Sequence, residues 1–437
     1  MGRGNLMHSI FFDFERPNPT TWLYFSIILV VAMFFRFSRV FSLRNFDLIS
    51  LYVPMPGFLF LLESQNKGGA GTIAGYAWLV ASSVYFVIRC LVDLGLERRP
   101  PHFSNLNPAG ISWMSFALFV SLVGITLIPP PENSIDPGVS KFPVEKIRAQ
   151  GDAAIREQAR ESHTKVRMWT ERGLSLGCHM AIVVGLVMVS WRHFDDWQPG
   201  MAAAACHLVL PYSFLLTPHN ELGIGRWEDT WPMALILWSI FFLSSPLISG
   251  VLMGIAVGSL LFPFFIVPSW LGLYRGGERY RFLAGFLTVI FGALVVVLAS
   301  GLVDSWLLSP DWLPWKQPTS GSESVWNAVP WAWAYRLPVF LIHLVLFFLA
   351  GFWPQPRNVG HLIAQCTMLL AATQWWTADQ GGAHVLWFLP LFLLLVFRPA
   401  LRNQYAVKDF FEAEKVVLAR LQEWWKKRQE RHARNLG

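Results

Sequence analysis

One short stretch of this chain concentrates the side chains that can do chemistry. It reads His219-Asn220-Glu221, then Gly223, Gly225, Arg226, Trp227, Glu228 and Asp229, and it is followed at once by Trp231-Pro232. A carboxylate can take the proton of an attacking hydroxyl as general base, and a guanidinium can grip a phosphate through two parallel N–H donors. Glu228 and Asp229 are therefore the candidate catalytic residues. Arg226, Glu221, His219 and Trp231 are the candidate substrate-binding residues. An ordinary solvated loop is the competing reading. The chain carries no Walker loop, Rossmann fingerprint or nucleophile–His–Asp motif, so nucleotide hydrolysis and nucleophilic catalysis find no support. No HExxH or paired-histidine spacing calls for a metal, and no cofactor is implied.

These residues lie between long apolar stretches. Hydrophobic residues make up 54% of the 437 positions and charged ones 14%. Runs such as Ile182–Val189 and Phe282–Ala299 are apolar all round, as a helix surrounded by lipid or other apolar helices must be. A bilayer leaves backbone polar groups no partner outside the segment, and the runs are too long for barrel strands. The fold class is all-α, a polytopic helical membrane protein with about 12 transmembrane helices. They are placed near 22–37, 46–62, 73–95, 110–128, 173–191, 200–217, 229–245, 248–272, 282–304, 334–353, 359–376 and 383–397.

The organisation follows from these runs. Residues 1–128 hold four spans, 129–172 form a charged extramembrane insert, and 173–397 hold about eight more. Within the last block, 305–333 is a loop rich in Trp and Pro, either an aromatic interfacial belt or a stacking platform for a sugar or isoprenoid. Residues 398–437 are a basic tail, amphipathic from Ala406 to Arg434, that suits the surface of the membrane. The first apolar run ends at Arg36 and Arg39 rather than at a cleavage site, so it reads as a retained span. Net charge is +7, much of it in the tail, which marks a cytoplasmic C-terminus beside anionic lipid. The expected partners are membrane lipids and a polyprenyl-phosphate sugar, with no nucleic acid. The assumed location is the plasma (inner) membrane.

Ionisable residues inside spans are costly and need partners. Arg89 and Asp93, one helical turn apart, are expected to neutralise each other. Asp47 and Glu63 are placed at the ends of the second span, within reach of headgroup water, and Asp304 and Arg336 near span ends. His179, His207 and His343 read as isolated buried histidines, and the four cysteines (Cys90, Cys178, Cys206, Cys366) as packing residues. Gly250, Gly254 and Gly258, and also Gly173 and Gly177, are spaced to let helices approach closely. The stretch from Pro246 to Tyr274 is either one kinked helix or two short ones meeting at Ser259-Leu260. The second arrangement puts the N-terminus outside, and the distribution of Lys and Arg slightly favours it.

The run from Pro211-Tyr212 through Gly223-Ile224-Gly225, Ala234–Trp238 and Pro246–Arg281 resembles the glycosyltransferase-C superfamily. Within it, the nearest branch is the polyprenol-phosphate-mannose-dependent mannosyltransferase-like proteins. The resemblance covers about residues 211–285 and rests on a polar Gly-containing loop, a Gly-rich helix, a break near Ser259–Pro263 and a basic cluster. It implies a multi-span fold, an active site facing away from the cytoplasm and a lipid-phosphate sugar donor. The chain departs from the pattern at Leu260, where the family commonly places a lysine. The function expected is sugar transfer from a polyprenyl phosphate to an acceptor at the extracytoplasmic face. The alternatives are a non-catalytic scaffold or assembly protein, or a transporter.

Overall fold

A computed structural model describes residues 19–67, 70–95, 104–127, 160–213, 227–299, 325–327, 332–352, 358–377, 382 and 384–399. Its α-helices are α1 (Pro19–Phe34), α2 (Leu43–Ser50), α3 (Met55–Lys67), α4 (Ala70–Gly95), α5 (Pro108–Leu127) and α6 (Arg160–His193). They continue with α7 (Gln198–Val209), α8 (Trp227–Phe241), α9 (Pro246–Ser259) and α10 (Val267–Leu273). The last are α11 (Gly277–Ala299), α12 (Arg336–Phe352), α13 (Val359–Thr373) and α14 (Val385–Phe397). The described residues contain no strand. By length and composition, six helices can cross a membrane: Leu43–Ser64, Gly71–Gly95, Pro108–Thr126, Trp169–His193, Gly277–Ala299 and Ala332–Phe352. Shorter apolar helices lie among them.

Local chemistry sets several boundaries. Ser42 caps α2 by accepting the Asn45 N–H, and Asn358 caps α13 by accepting that of His361. Asn45 then turns back on the preceding link: its amide donates to the carbonyls of Arg36, Arg39 and Val40 and accepts the Arg36 N–H. Pro246 starts α9, where its missing N–H costs nothing. Helix α6 runs unbroken from Arg160, so the end of the charged insert is continuous with the fifth apolar run.

The helices that pack most closely are held by glycine. A Cβ on Gly250 would run into the carbonyl oxygen of Phe282, and one on Gly254 would come within 2.9 Å of the Phe286 oxygen. From the other side, Gly285 meets the Leu247 carbonyl. Backbones of α9 and α11 therefore touch, as the spacing of Gly250 and Gly254 predicts. Gly173 and Gly177 correct that expectation: a Cβ at either position meets nothing within 4 Å among the described residues. Spacing alone does not reveal whether a small face has a neighbour.

The stretch from Pro246 to Tyr274 is a helical hairpin. Helix α9 ends at Ser259, Leu260 is extended at φ −137° and ψ 147°, and a 3-10 turn over Phe262–Ile266 leads into α10. The return leg comes back beside the first: Trp270 Nε1 donates to Ser249 Oγ at 3.1 Å, and the Tyr274 hydroxyl to the Leu243 carbonyl at 2.9 Å. Tyr274 thus returns to the end from which α9 set out, which selects two short antiparallel legs over one kinked helix.

Side-chain contacts sort the helix ends into two faces. At one face, Phe34 at the end of α1 touches Phe397 at the end of α14, and the Asn105 N–H reaches the Met33 carbonyl. At the other, Trp22 near the start of α1 donates to the Val209 carbonyl at the end of α7, and Trp231 meets Ser259. The start of α1 and the end of α14 consequently lie on opposite faces.

Candidate functional site

The start of α8 packs against the break after α9. Trp231 Nε1 donates to Ser259 Oγ at 3.0 Å, and that hydroxyl donates to the Ile255 carbonyl at 2.8 Å. Ser259 is the last residue of α9, so the tryptophan reaches the point where the helix gives way to extended Leu260. The Cys178 thiol of α6 sits 3.9 Å from the Trp227 carbonyl, and the Thr230 hydroxyl donates to the same carbonyl at 3.2 Å. The backbone of Glu228 and Asp229 forms the first turn of α8, while their side chains lie outside the described part of the molecule. His219, Glu221 and Arg226 lie outside the described residues. Of the sequence-expected site residues, Trp231 is the one whose side chain is placed, and it joins two segments that the sequence reading had connected only by resemblance.

Just beneath this end, two histidines read as isolated are neighbours. His179 on α6 and His207 on α7 face each other, with Nδ1 of the first 3.4 Å from Nε2 of the second. Both are buried. The helices that carry them are drawn together at Gly200, where a Cβ would strike the Leu186 carbonyl and the Ser190 side chain. The His207 carbonyl accepts the Ser213 hydroxyl at 2.6 Å, which fixes the chain leaving α7. Twenty-eight positions separate the two rings in sequence, so no local spacing announces the pair. His343 is different: its Nδ1 accepts the Trp376 indole at 2.6 Å, and Trp376 in turn accepts Arg336 Nε through its carbonyl.

At the opposite face lies a buried ionic chain. Arg89 on α4 binds Asp47 of α2 through both Nε, at 2.7 Å, and NH2, at 3.0 Å. Its NH1 reaches Asp93 Oδ1 at 3.0 Å, and the second oxygen of Asp93 takes Arg398 NH2 at 2.6 Å. Asp47 and Asp93 are both 0% exposed. Asp47 is therefore not bathed in headgroup water, which corrects the sequence expectation. Nor do Arg89 and Asp93 form a self-contained pair, because the forked contact of Arg89 goes to Asp47. These contacts among two acids and two guanidinium groups tie α2, α4 and the end of α14 together. Gly360 makes room for it, since a Cβ there would come within 2.6 Å of Arg398 NH1.

Beside the same face, a cavity of about 420 Å³ opens between the link 104–108 and the start of α7. Asn105, Asn107, Asp196, Trp197 and Gln198 give it a polar side, and Ile111, Met201, Ala202 and Phe397 an apolar one. Much of that polarity is spent internally: the Asn105 amide donates to the carbonyls of Ala32 and Phe35, Asn107 accepts the Gly110 N–H, and Asp196 accepts that of Gln198. Among the described residues, no group of three or more His, Cys, Asp or Glu is arranged to hold a metal ion.

No family model, curated protein or solved structure matches this chain. Function must therefore be argued from the polar clusters and from where the fold puts them.

Proposed function

We propose that the protein is a multi-span membrane enzyme that transfers a sugar from a polyprenyl-phosphate donor to an acceptor at the extracytoplasmic face. The observation that carries this reading is the Trp231–Ser259 contact. It brings the helix start bearing Glu228 and Asp229 against the broken α9–α10 hairpin, whose Gly-rich leg and break are among the features on which the resemblance to the glycosyltransferase-C superfamily rests. In this reading Asp229 or Glu228 deprotonates the acceptor hydroxyl, and Arg226 steadies the departing lipid phosphate. His219 and Glu221 contact substrate from the same segment.

The two faces of the fold support an orientation. Arg36, Arg39, Arg275, Arg279 and Arg281 flank helix ends on the Phe34–Phe397 side, and the basic tail leaves from there. By the positive-inside rule that side is cytoplasmic. The helix start with Glu228 and Asp229 then faces outward, where sugar donors are carried on lipids. In this proposal the short apolar helices are also embedded, bringing the total close to the twelve segments expected from sequence. At about 1.5 Å rise per residue they are shorter than the roughly 30 Å hydrocarbon core, so the hairpin dips in and returns. The membrane is assigned as the plasma (inner) membrane.

A second reading is a transporter, because paired broken helices at mid-chain are how many transporters build a substrate site. The experiment that separates the two combines ligand-dependent thermal stability with transfer. A ligand that prefers the folded state raises the unfolding midpoint. Selective stabilisation by a polyprenyl-phosphate sugar, over free polyprenyl phosphate and nucleotide sugars, together with transfer lost in Asp229→Asn and Arg226→Ala, is the expected result. Unchanged transfer in both variants sinks the residue assignment. No stabilisation, with substrate flux in liposomes, moves the function to transport. Neither activity leaves a scaffold.

A further inference from the structure

We propose that the cavity beside Asp196 is a binding site for a membrane lipid whose headgroup carries a primary ammonium group. Its volume of about 420 Å³ is that of a small-molecule site, and what it binds is decided by which of its polar groups remain available. Asp196 is the one charged side chain in its lining. One oxygen of that carboxylate accepts the Gln198 N–H at 2.9 Å, and Asp196 forms no ion pair among the described residues. Arg192 is engaged by Ser244 and Arg44 lies over the Phe397 ring, and neither lines the cavity. Asn105 spends its amide N–H groups on the carbonyls of Ala32 and Phe35, which leaves its oxygen as an acceptor. An ammonium has three donors and no acceptor, the complement of a cavity that presents a carboxylate and an amide oxygen.

Two helices start at this cavity, yet their ends hold no anion site. The Gly110 N–H goes to Asn107, the Gln198 N–H to Asp196 and the Gly200 N–H to Ser190 Oγ, while positions 108 and 199 are proline. The carboxylate itself is set by a strained turn between α6 and α7. Asp195, at φ 56°, is the only non-glycine with positive φ among the described residues. Such a conformation persists where neighbouring contacts fix it. Ser190 Oγ does so, donating to the Asp196 carbonyl at 2.7 Å and accepting the Gly200 N–H at 2.9 Å.

The other wall selects a lipid over a free amine. Ile111, Met201, Ala202 and Phe397 make it apolar. Just beyond Ile111, the Trp113, Phe116 and Val120 side chains of α5 are exposed at i, i+3 and i+7 spacing. They form one apolar stripe that runs from the cavity along a helix long and apolar enough to cross the membrane. Trp197 in the lining is also exposed, as indoles at a membrane–water boundary are. The ammonium then rests on Asp196, the phosphate stays in the wet mouth, and the acyl chains follow α5. This inference stands on the cavity and holds whether or not the chain transfers sugar.

The test uses the full chain in detergent micelles, with lipid retention measured by native mass spectrometry. The probes are phosphatidylethanolamine, the same lipid with its amine acetylated, phosphatidylglycerol, and soluble ethanolamine as competitor. One phosphatidylethanolamine per chain should be retained about tenfold or more in preference to the other two lipids, as the loss of a charged hydrogen bond implies. Asp196→Asn keeps an oxygen for the Gln198 N–H but removes the charge, so the preference should vanish. Asp195→Asn is exposed and tolerates the same positive φ, and should leave the preference within about threefold. Equal retention of the acetylated lipid overturns the proposal, and so does full preference in Asp196→Asn. Displacement by ethanolamine at concentrations no higher than the lipid's own overturns the lipid as the occupant. The lipids are compared on the unaltered protein, so the result does not depend on the variants folding.

Discussion

Asp93→Asn should be among the most damaging single changes in this protein. Asp93 is wholly buried and receives two charged donors, Arg89 NH1 at 3.0 Å and Arg398 NH2 at 2.6 Å. Hydrogen bonds to charged groups contribute about 1.5–3 kcal/mol each, and breaking a buried ion pair from one side costs about 3–5 kcal/mol. The asparagine removes the negative charge that two guanidinium groups share, and turns an N–H toward one of them. We expect a loss of about 3–5 kcal/mol. Arg398→Met, which leaves two acids facing Arg89, should cost a similar amount. The double variant keeps the neutral Asp47–Arg89 pair, so its loss should fall short of the sum of the two singles by about 2 kcal/mol or more. Reversible unfolding of the protein in mixed micelles, with denaturing detergent as the variable, measures all three. Single losses under about 1 kcal/mol, or strict additivity, would refute a coupled ionic chain.

Three further outcomes follow from the fold. Gly250→Ala should destabilise by about 2 kcal/mol or more because its Cβ strikes the Phe282 carbonyl, whereas Gly173→Ala should stay within about 0.5 kcal/mol, in the same unfolding assay. Trp231→Phe should lose about 1 kcal/mol with its bond to Ser259, and donor-dependent stabilisation should weaken if that contact supports the site; unchanged stability would separate α8 from the hairpin. A cysteine replacing Thr20 should react with an impermeant maleimide on intact cells, while one replacing Gly277 should react only after permeabilisation. The four native thiols are buried, and labelling of both new sites from one side would overturn the two-faced arrangement.

How much of this was legible beforehand differs from element to element. Pro263 and Pro268 marked an interruption of the apolar run but left a kinked helix and a break at Ser259-Leu260 both open, while the close packing of Gly250 and Gly254 was readable because their period matches a helix face. The Arg89–Asp93 contact was readable because four residues make one turn. Its larger setting was not, since Asp47 lies 42 positions from Arg89 and Arg398 lies 305 from Asp93. Gly173 and Gly177 show the same limit from the other side, having the right period and no neighbour among the described residues. Glu221, Arg226 and the side chains of Glu228 and Asp229 fall outside the described residues, as does the amphipathic tail Ala406–Arg434. Most of the Trp- and Pro-rich loop does too, with Val325–Asn327 and Ala332–Tyr335 described as 3-10 turns.

By itself the sequence determined that the chain folds as helices with an apolar exterior. That property is local: lipid offers the backbone no hydrogen bonds, so long apolar runs have to satisfy their own. It placed their ends only approximately: the run read as 46–62 is two helices, Leu43–Ser50 and Met55–Lys67. Only the tertiary structure decided which polar groups meet. A buried charge or imidazole is stable only beside a partner, and the partners of Asp47 and His179, like the second partner of Asp93, were brought to them by helix packing rather than by neighbouring positions in the chain. The return of Tyr274 to Leu243 was decided in the same way, and with it the opposite placement of the two ends of the helical bundle.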